Sequence, residues 1–178
     1  MQIFYVHHAL RDKGNPSTQE DGIKELGIED ANIVGKIFEC GKKYWDFKAI
    51  YTSPFRRCRE TAEIINKYLN IPVVEDARFN ECGSVLHSVS KNSDEKRKET
   101  WKECQTRIIE ALYDIVLKHD DKDTVICVTS GVNLTAFVSV AYGIKPNNDL
   151  PYPMVSSCSP IGFNISKKDF NKHNIKVK

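Results

Sequence analysis

The hydrophobic pattern divides the chain into short apolar runs separated by longer stretches with helical spacing. Residues 2–7, QIFYVH, are apolar enough to read as a buried strand. Residues 10–22, LRDKGNPSTQEDG, are polar and hold Gly14, Pro16 and Gly22, which reads as a loop. Across 28–44, Ile28, Ala31, Ile33, Val34, Ile37 and Phe38 recur at helical spacing. FKAIYTS at 47–53 predicts a second strand. Ser53-Pro54 then reads as a helix start, with the serine as N-cap and the proline in the first helical position. That helix runs to about Leu69, and IPVVE at 71–75 is a third strand. Residues 82–98 are polar and irregular, a surface insertion overlapping a long helix expected over about 93–118. TVICVT at 124–129 is a strong strand, 131–142 a helix, and SPIGFNIS at 159–166 a last strand. The basic tail, KKDFNKHNIKVK, is expected to fray, with Ile175 and Val177 able to pair at a sheet edge.

Strands alternating with helices imply an α/β fold, a three-layer α/β/α sandwich around a mostly parallel central sheet. A length of 178 residues suits one domain spanning 1–178, with the tail 167–178 frayed. In such sheets ligands bind beyond the carboxyl ends of the strands. Three stretches converge there: His7 and His8 after the first strand, Ser53 and its arginines after the second, Ser130 and Gly131 after TVICVT.

Composition narrows the function. The 26 basic and 24 acidic residues leave a formal charge of +2, which argues against nucleic acid and membrane surfaces as partners. The six cysteines form no CxxC and no zinc-type pairing with histidine. They read as reduced thiols of a cytoplasmic protein. No run approaches the roughly 20 apolar residues of a membrane span, and the first apolar stretch lacks the basic flank of a signal peptide. No metal-ligand cluster or cofactor motif is present.

The candidate chemistry begins with TSPFRRCRETAEII. Arg56, Arg57 and Arg59 crowd a helix start, where the macrodipole disfavours each cation by roughly 0.3–1 kcal/mol. An anion resolves that conflict, because free N–H groups plus guanidinium make a phosphate or carboxylate site. One arginine is expected to face the pocket and the other two the surface. A neutral histidine at a strand end opposite that helix can attack phosphorus, with Glu81 in FNECG as the acid near the leaving oxygen. Trp45 and Trp101 read as packing residues. His119 sits near a helix end, where a cation suits the dipole. The charge run at 91–100 reads as an exposed helix start.

FYVHHA, YTSPFRRCRETAEII, ARFNEC and VICVTSGVNLTAF, in this order, resemble the histidine phosphatase superfamily, the phosphoglycerate mutase-like proteins. IKELGIEDA and ETWKECQTR are similar to its connecting segments. The resemblance covers about residues 1–165. It implies that His8 is the phosphorylated nucleophile, Arg57 a phosphate-binding arginine and Glu81 the proton donor. His7 stands where the family has a phosphate-binding arginine, and Ala9 where it has glycine. Ser130 stands where the family has its second histidine.

The implied activity is that of a metal-independent phosphomonoester hydrolase with no cofactor, acting on a phosphorylated small molecule or phosphoprotein. It is expected to be weak, because loss of one charge-stabilising donor costs roughly 2.7–4 kcal/mol. His7 would substitute for arginine when protonated, below about pH 6.5. Ser130 and the Gly131 amide would each supply a hydrogen bond. His87, in the insertion, reads as a solvated loop histidine, with a reach back over the site as the lesser alternative. The alternative is a catalytically inactive pseudophosphatase that binds a phosphorylated ligand or protein. A third reading, Ser130 as hydrolase nucleophile, lacks the upstream glycine of G-x-S-x-G and a later His–Asp pair.

Overall fold

The computed structural model of the chain describes residues 1–12, 19–81, 99–147, 149 and 155–171. Five strands form one sheet: β1 (Gln2–His7), β2 (Asp46–Thr52), β3 (Val73–Glu75), β4 (Asp123–Thr129) and β5 (Pro160–Asn164), in the order β3-β2-β4-β1-β5. All neighbours are parallel except the edge pair β1–β5. Helices α1 (Glu25–Gly41) and α2 (Arg56–Leu69) cover one face. Helices α3 (Trp101–Lys118), α4 (Leu134–Tyr142) and α5 (Lys167–Asn171) cover the other. This is the three-layer arrangement that the alternating pattern implies.

Burial on both faces explains the apolar runs of the strands. Phe4 and Val6 of β1 pack under α1 and α2, while Ile3 and Tyr5 pack under α3 and α4. All seven residues of β4, the central strand, are buried. A register shift between Phe47 and Ala49 lets Phe47 face α1 and Ala49 face α3 although they are two residues apart.

Several boundaries differ from the sequence reading. Helix α1 starts at Glu25, and its buried face is Gly27, Ala31, Val34, Gly35, Phe38 and Gly41. Ile28, Ile33 and Ile37 point outward. Small residues mark the packed side because α1 and α2 approach closely: a Cβ on Gly35 would collide with the Tyr68 ring. Helix α2 starts at Arg56, not Pro54, with Phe55 as an N-cap that makes no side-chain bond. Ser53 lies two residues before the cap: its oxygen accepts from the Phe55 amide at 3.3 Å and its hydroxyl donates to Asn80 Oδ1 at 2.6 Å. Helix α3 starts at Trp101 under a capping box between Thr100 and Glu103. The 131–142 stretch opens as a 3-10 turn, Gly131–Asn133, before α4. The tail is helical rather than frayed over Lys167–Asn171, because Phe170 is buried in the core and its ring meets Tyr113 at 5.1 Å. The insertion at 82–98, with Cys82 and His87, and the tail beyond 171, with His173, Ile175 and Val177, lie outside the described residues. So does the 13–18 part of the first loop.

The burial pattern of α1 is testable. Phe38 is 1% exposed, so Phe38→Ala should cost about 3–5 kcal/mol of unfolding free energy. Ile28→Ala, on the solvent side, should stay within about 0.5 kcal/mol of the parent. Urea denaturation of both variants measures the contrast.

Candidate active site

The carboxyl ends of β1, β2 and β4 lie side by side, since His7 pairs with Thr129 and Thr52 with Val128. His8 follows β1 directly. Its amide donates to Thr129 O at 2.8 Å, and the next amide, of Ala9, donates to Thr61 Oγ1 at 2.9 Å. Thr61 Oγ1 in turn donates to Arg57 O at 2.7 Å. The histidine is thus fixed to both the central strand and α2.

The His8 ring has a defined tautomer. Nδ1 lies 2.8 Å from Ala9 O, and a carbonyl only accepts, so Nδ1 carries the hydrogen. Nε2 accepts from Arg57 Nε–H at 3.2 Å. Burial foremost, then the neighbouring His7, Arg57 and Arg11, push the His8 pKa down to about 3. His8 is therefore a neutral imidazole at physiological pH, with its lone pair on Nε2.

Arg57 is the arginine that faces inward. Its side chain is 1% exposed, and its guanidinium lies 4.8 Å from the Phe55 ring centroid. Besides His8 it holds Glu81, with Nη2 donating to Oε2 at 2.6 Å. Arg56 turns outward and pairs with Glu60 at 2.7 Å, and Arg59 is half-buried. One inward and two peripheral arginines match the sequence expectation.

Glu81 depends on residues that the sequence reading did not single out. Asn133 Nδ2 donates to the carbonyls of Phe79 and Asn80 at 3.0 and 3.1 Å. Arg107 donates to the carbonyls of Arg78 and Asn80, and is itself clamped by both Glu99 oxygens at 2.7 Å. Asn80 Oδ1 accepts from Ser53. A polar signal was available in VTSGVNLTAF, where Asn133 interrupts an apolar run. For Arg107, on a long amphipathic helix, no local signal distinguishes it from a surface arginine.

His7 and Ser130 sit beside this triad, but as uncharged groups. His7 Nδ1 is 3.1 Å from Val155 O and 3.2 Å from Ser156 O, so it too carries its hydrogen on Nδ1. Burial foremost lowers the His7 pKa, with the two carbonyls opposing that shift. Protonation is thereby moved below the pH 6.5 expected from sequence. The His7 ring stacks edge-on to His8 at 4.5 Å and packs against Gly131, where a Cβ would lie 3.2 Å from Cε1. Ser130 is 2% exposed. Its Oγ has no hydrogen-bond partner among the described residues, while its carbonyl accepts from Tyr5 OH at 3.0 Å. Among the described residues no group of three or more His, Cys, Asp or Glu side chains is placed to hold a metal.

Comparison with known proteins agrees with this geometry. The family model described as the histidine phosphatase superfamily (branch 1) matches residues 17–85. A 37-residue stretch is 54% identical to an uncharacterized phosphatase, PhoE, of Bacillus subtilis (strain 168). That stretch is 21% of this chain and spans only 18% of the relative's length. Among solved structures, Bacillus stearothermophilus YhfR superposes with a TM-score of 0.69 at 24% identity, covering 90% of this chain and 89% of that one. The protein histidine phosphatase SixA complexed with tungstate gives 0.65 at 15% identity, over 95% and 91%. A mycobacterial glucosyl-3-phosphoglycerate phosphatase gives 0.64 at 16%, over 90% of each chain. Identities this low carry the fold alone. The family model thus covers the segment from the first loop through α1, β2, α2 and β3 to Glu81, and the solved structures agree with this chain in fold.

The depressed His8 pKa has a measurable consequence. Its imidazole NMR resonances should stay unchanged from pH 8 to pH 5; a midpoint near 6.5 would contradict the burial. Because the folded value lies below the unfolded one, the unfolded state binds more protons between about pH 6.5 and 3. His8 therefore stabilises the fold fully above pH 6.5, and that contribution drains as pH falls through this window. The drop in urea midpoint from pH 7 to pH 5 should be smaller in His8→Gln than in the parent.

Proposed function

We propose that this chain is a metal-independent phosphomonoester hydrolase that works through a phosphohistidine on His8. The carrying observation is the chain of bonds from the Ala9 carbonyl through His8 and Arg57 to Glu81. It holds a neutral imidazole, a guanidinium and a carboxyl group in one line, the three parts that phosphoryl transfer to nitrogen needs.

The reaction runs in two steps. The incoming phosphoryl oxygens take the Arg57 donors now held by His8 and Glu81, which frees both partners. Glu81, released from Arg57, takes up a proton from solvent or from the phosphomonoester monoanion; the Nε2 lone pair then forms the N–P bond while the ester P–O bond breaks, and Glu81 gives that proton to the leaving oxygen. Glu81, now a carboxylate, removes a proton from water, whose oxygen attacks phosphorus. The N–P bond breaks, inorganic phosphate leaves, and His8 returns to its neutral form. His7, Ser130 and the Gly131 amide border the phosphoryl group and would supply neutral contacts only. Arg57 is then the formal cation carrying the developing charge, so turnover is expected to be slow. Substrates on this reading are phosphorylated small molecules or phosphoproteins. The five described cysteines form no disulfide, which suits the reducing cytoplasm where we place the protein.

A second reading, a phosphate-ligand binding protein without turnover, is favoured by one observation. The two positions where the family pattern has a basic residue and this chain has a different residue, His7 and Ser130, present no added charge at neutral pH.

Phosphate release from p-nitrophenyl phosphate separates the two. The parent should turn over slowly, His8→Ala should lose that turnover, and Arg57→Lys should lose about 10²–10³ of it. Ser130→His should gain. Any rise from protonated His7 should fall below pH 6.5 and vanish in His7→Ala. Equal rates in the parent and His8→Ala would overturn the hydrolase reading, and no rate in either would leave the binding protein.

A further inference from the structure

The outward face of α1 carries an apolar stripe. Leu26, Ile33 and Ile37 are 57%, 56% and 50% exposed, and Cys40 is exposed in line with them. At about 100° per residue these four positions fall within roughly 60° of arc. That arc is separate from the face that packs on α2. Isolated exposed apolar residues are ordinary, but Ile33, Ile37 and Cys40 follow one another turn by turn, with Leu26 two turns before, and such an alignment along one helix suits an interaction surface.

The flanking charges say what fits it. Exposed Glu25 and Glu29 lie in the first half of α1, while exposed Lys36 lies in the second, with Lys43 just past its end. Glu29 is four residues before Ile33 and Lys36 three after, and helical geometry puts both on the same flank of the stripe. Neither forms an ion pair within the chain among the described residues. Exposed Glu39 lies further round the helix, about 100° from Cys40; on the flank of the stripe itself, acidic Glu25 and Glu29 at one end and basic Lys36 and Lys43 at the other are complementary to the same helix reversed. Antiparallel helix dipoles favour that arrangement as well.

We infer that this face is a homodimer interface, in which a second copy of the chain packs its α1 antiparallel on this one. The two-fold axis passes beside Ile33, so that Ile33 meets the partner's Ile33. Leu26 then faces the partner's Cys40, and Glu29 lies beside the partner's Lys36, twice over. Such a contact is isologous and closed, which limits it to a dimer. One helix pair lies at the small end of specific interfaces, so the dimer dissociates on dilution.

Sedimentation velocity of the full chain over a concentration series reads this directly. The parent should move from monomer to dimer as concentration rises. Glu29→Lys and Lys36→Glu each place like charges together and should each weaken the dimer about tenfold or more, while the double variant should return close to the parent. Circular dichroism checks that every variant keeps its helix content. For the register, Ile33→Cys in a Cys40→Ser, Cys82→Ser background should form a covalent dimer under mild oxidation. The parent Cys40 pair would sit about 21 Å apart along the axis at 1.5 Å per residue, out of disulfide reach. A parent that stays monomeric at every concentration would overturn the inference. So would a dimer indifferent to both charge reversals, or an Ile33→Cys variant that fails to cross-link.

Discussion

The site rests on the pair of hydrogen bonds that fixes the proton on His8. Ala9 O holds the hydrogen on Nδ1, and Arg57 Nε–H faces the lone pair on Nε2. Burial keeps the ring neutral well below physiological pH. A protonated imidazole has no lone pair and cannot attack, so this placement is the condition for nucleophilic chemistry at His8. Arg57 serves both sides of the site: it touches His8, the proposed nucleophile, with one nitrogen and Glu81, the proposed acid, with another. A lysine there would keep the charge but lose the fork.

The rest of the fold serves that alignment. Parallel β1, β2 and β4 bring His8, Ser53 and Ser130 to one edge, and the first turn of α2 then lands Arg57 between them. Glu81 follows a 3-10 turn whose carbonyls are claimed by Asn133 and Arg107. Through those carbonyls the two residues set where the Glu81 segment begins. The same arrangement explains why two arginines at the first turn of α2 are tolerated: Glu60 neutralises Arg56, and Glu81 neutralises Arg57.

The elements were legible in the sequence where burial is two-sided or motifs are dense. Strand β4 and the run TSPFRRCRETAE are examples; the dipole argument called for one inward arginine, and the family resemblance pointed to Arg57 as that one. The helical spacing of Ile28, Ile33 and Ile37 located α1 but not its buried face, which lies on the other side of the helix. Close approach selects glycine there by size: Gly27 against the Leu10 backbone, Gly35 against the Tyr68 ring of α2 and Gly41 against the Trp45 ring. The start of α2 was misplaced because Ser53 accepts from the Phe55 amide, ahead of the helix, while donating to Asn80. Protonation of His7 could not be read from sequence, since it depends on how deeply Val155 and Ser156 enclose the ring. The roles of Asn133 and Arg107 depend on contacts 27 or more residues away.

The central claim is that His8, and no other residue, accepts the phosphoryl group. In Glu81→Gln the first step still proceeds with a leaving group that needs no proton, while the second lacks its base, so the intermediate should accumulate. The direct measurement is therefore intact-protein and peptide mass spectrometry of Glu81→Gln, mixed with p-nitrophenyl phosphate and quenched at alkaline pH. The account predicts one phosphoryl group, lost on acid treatment and located on His8. A phosphoryl group on Ser130, or none on a protein that releases p-nitrophenol, would contradict it.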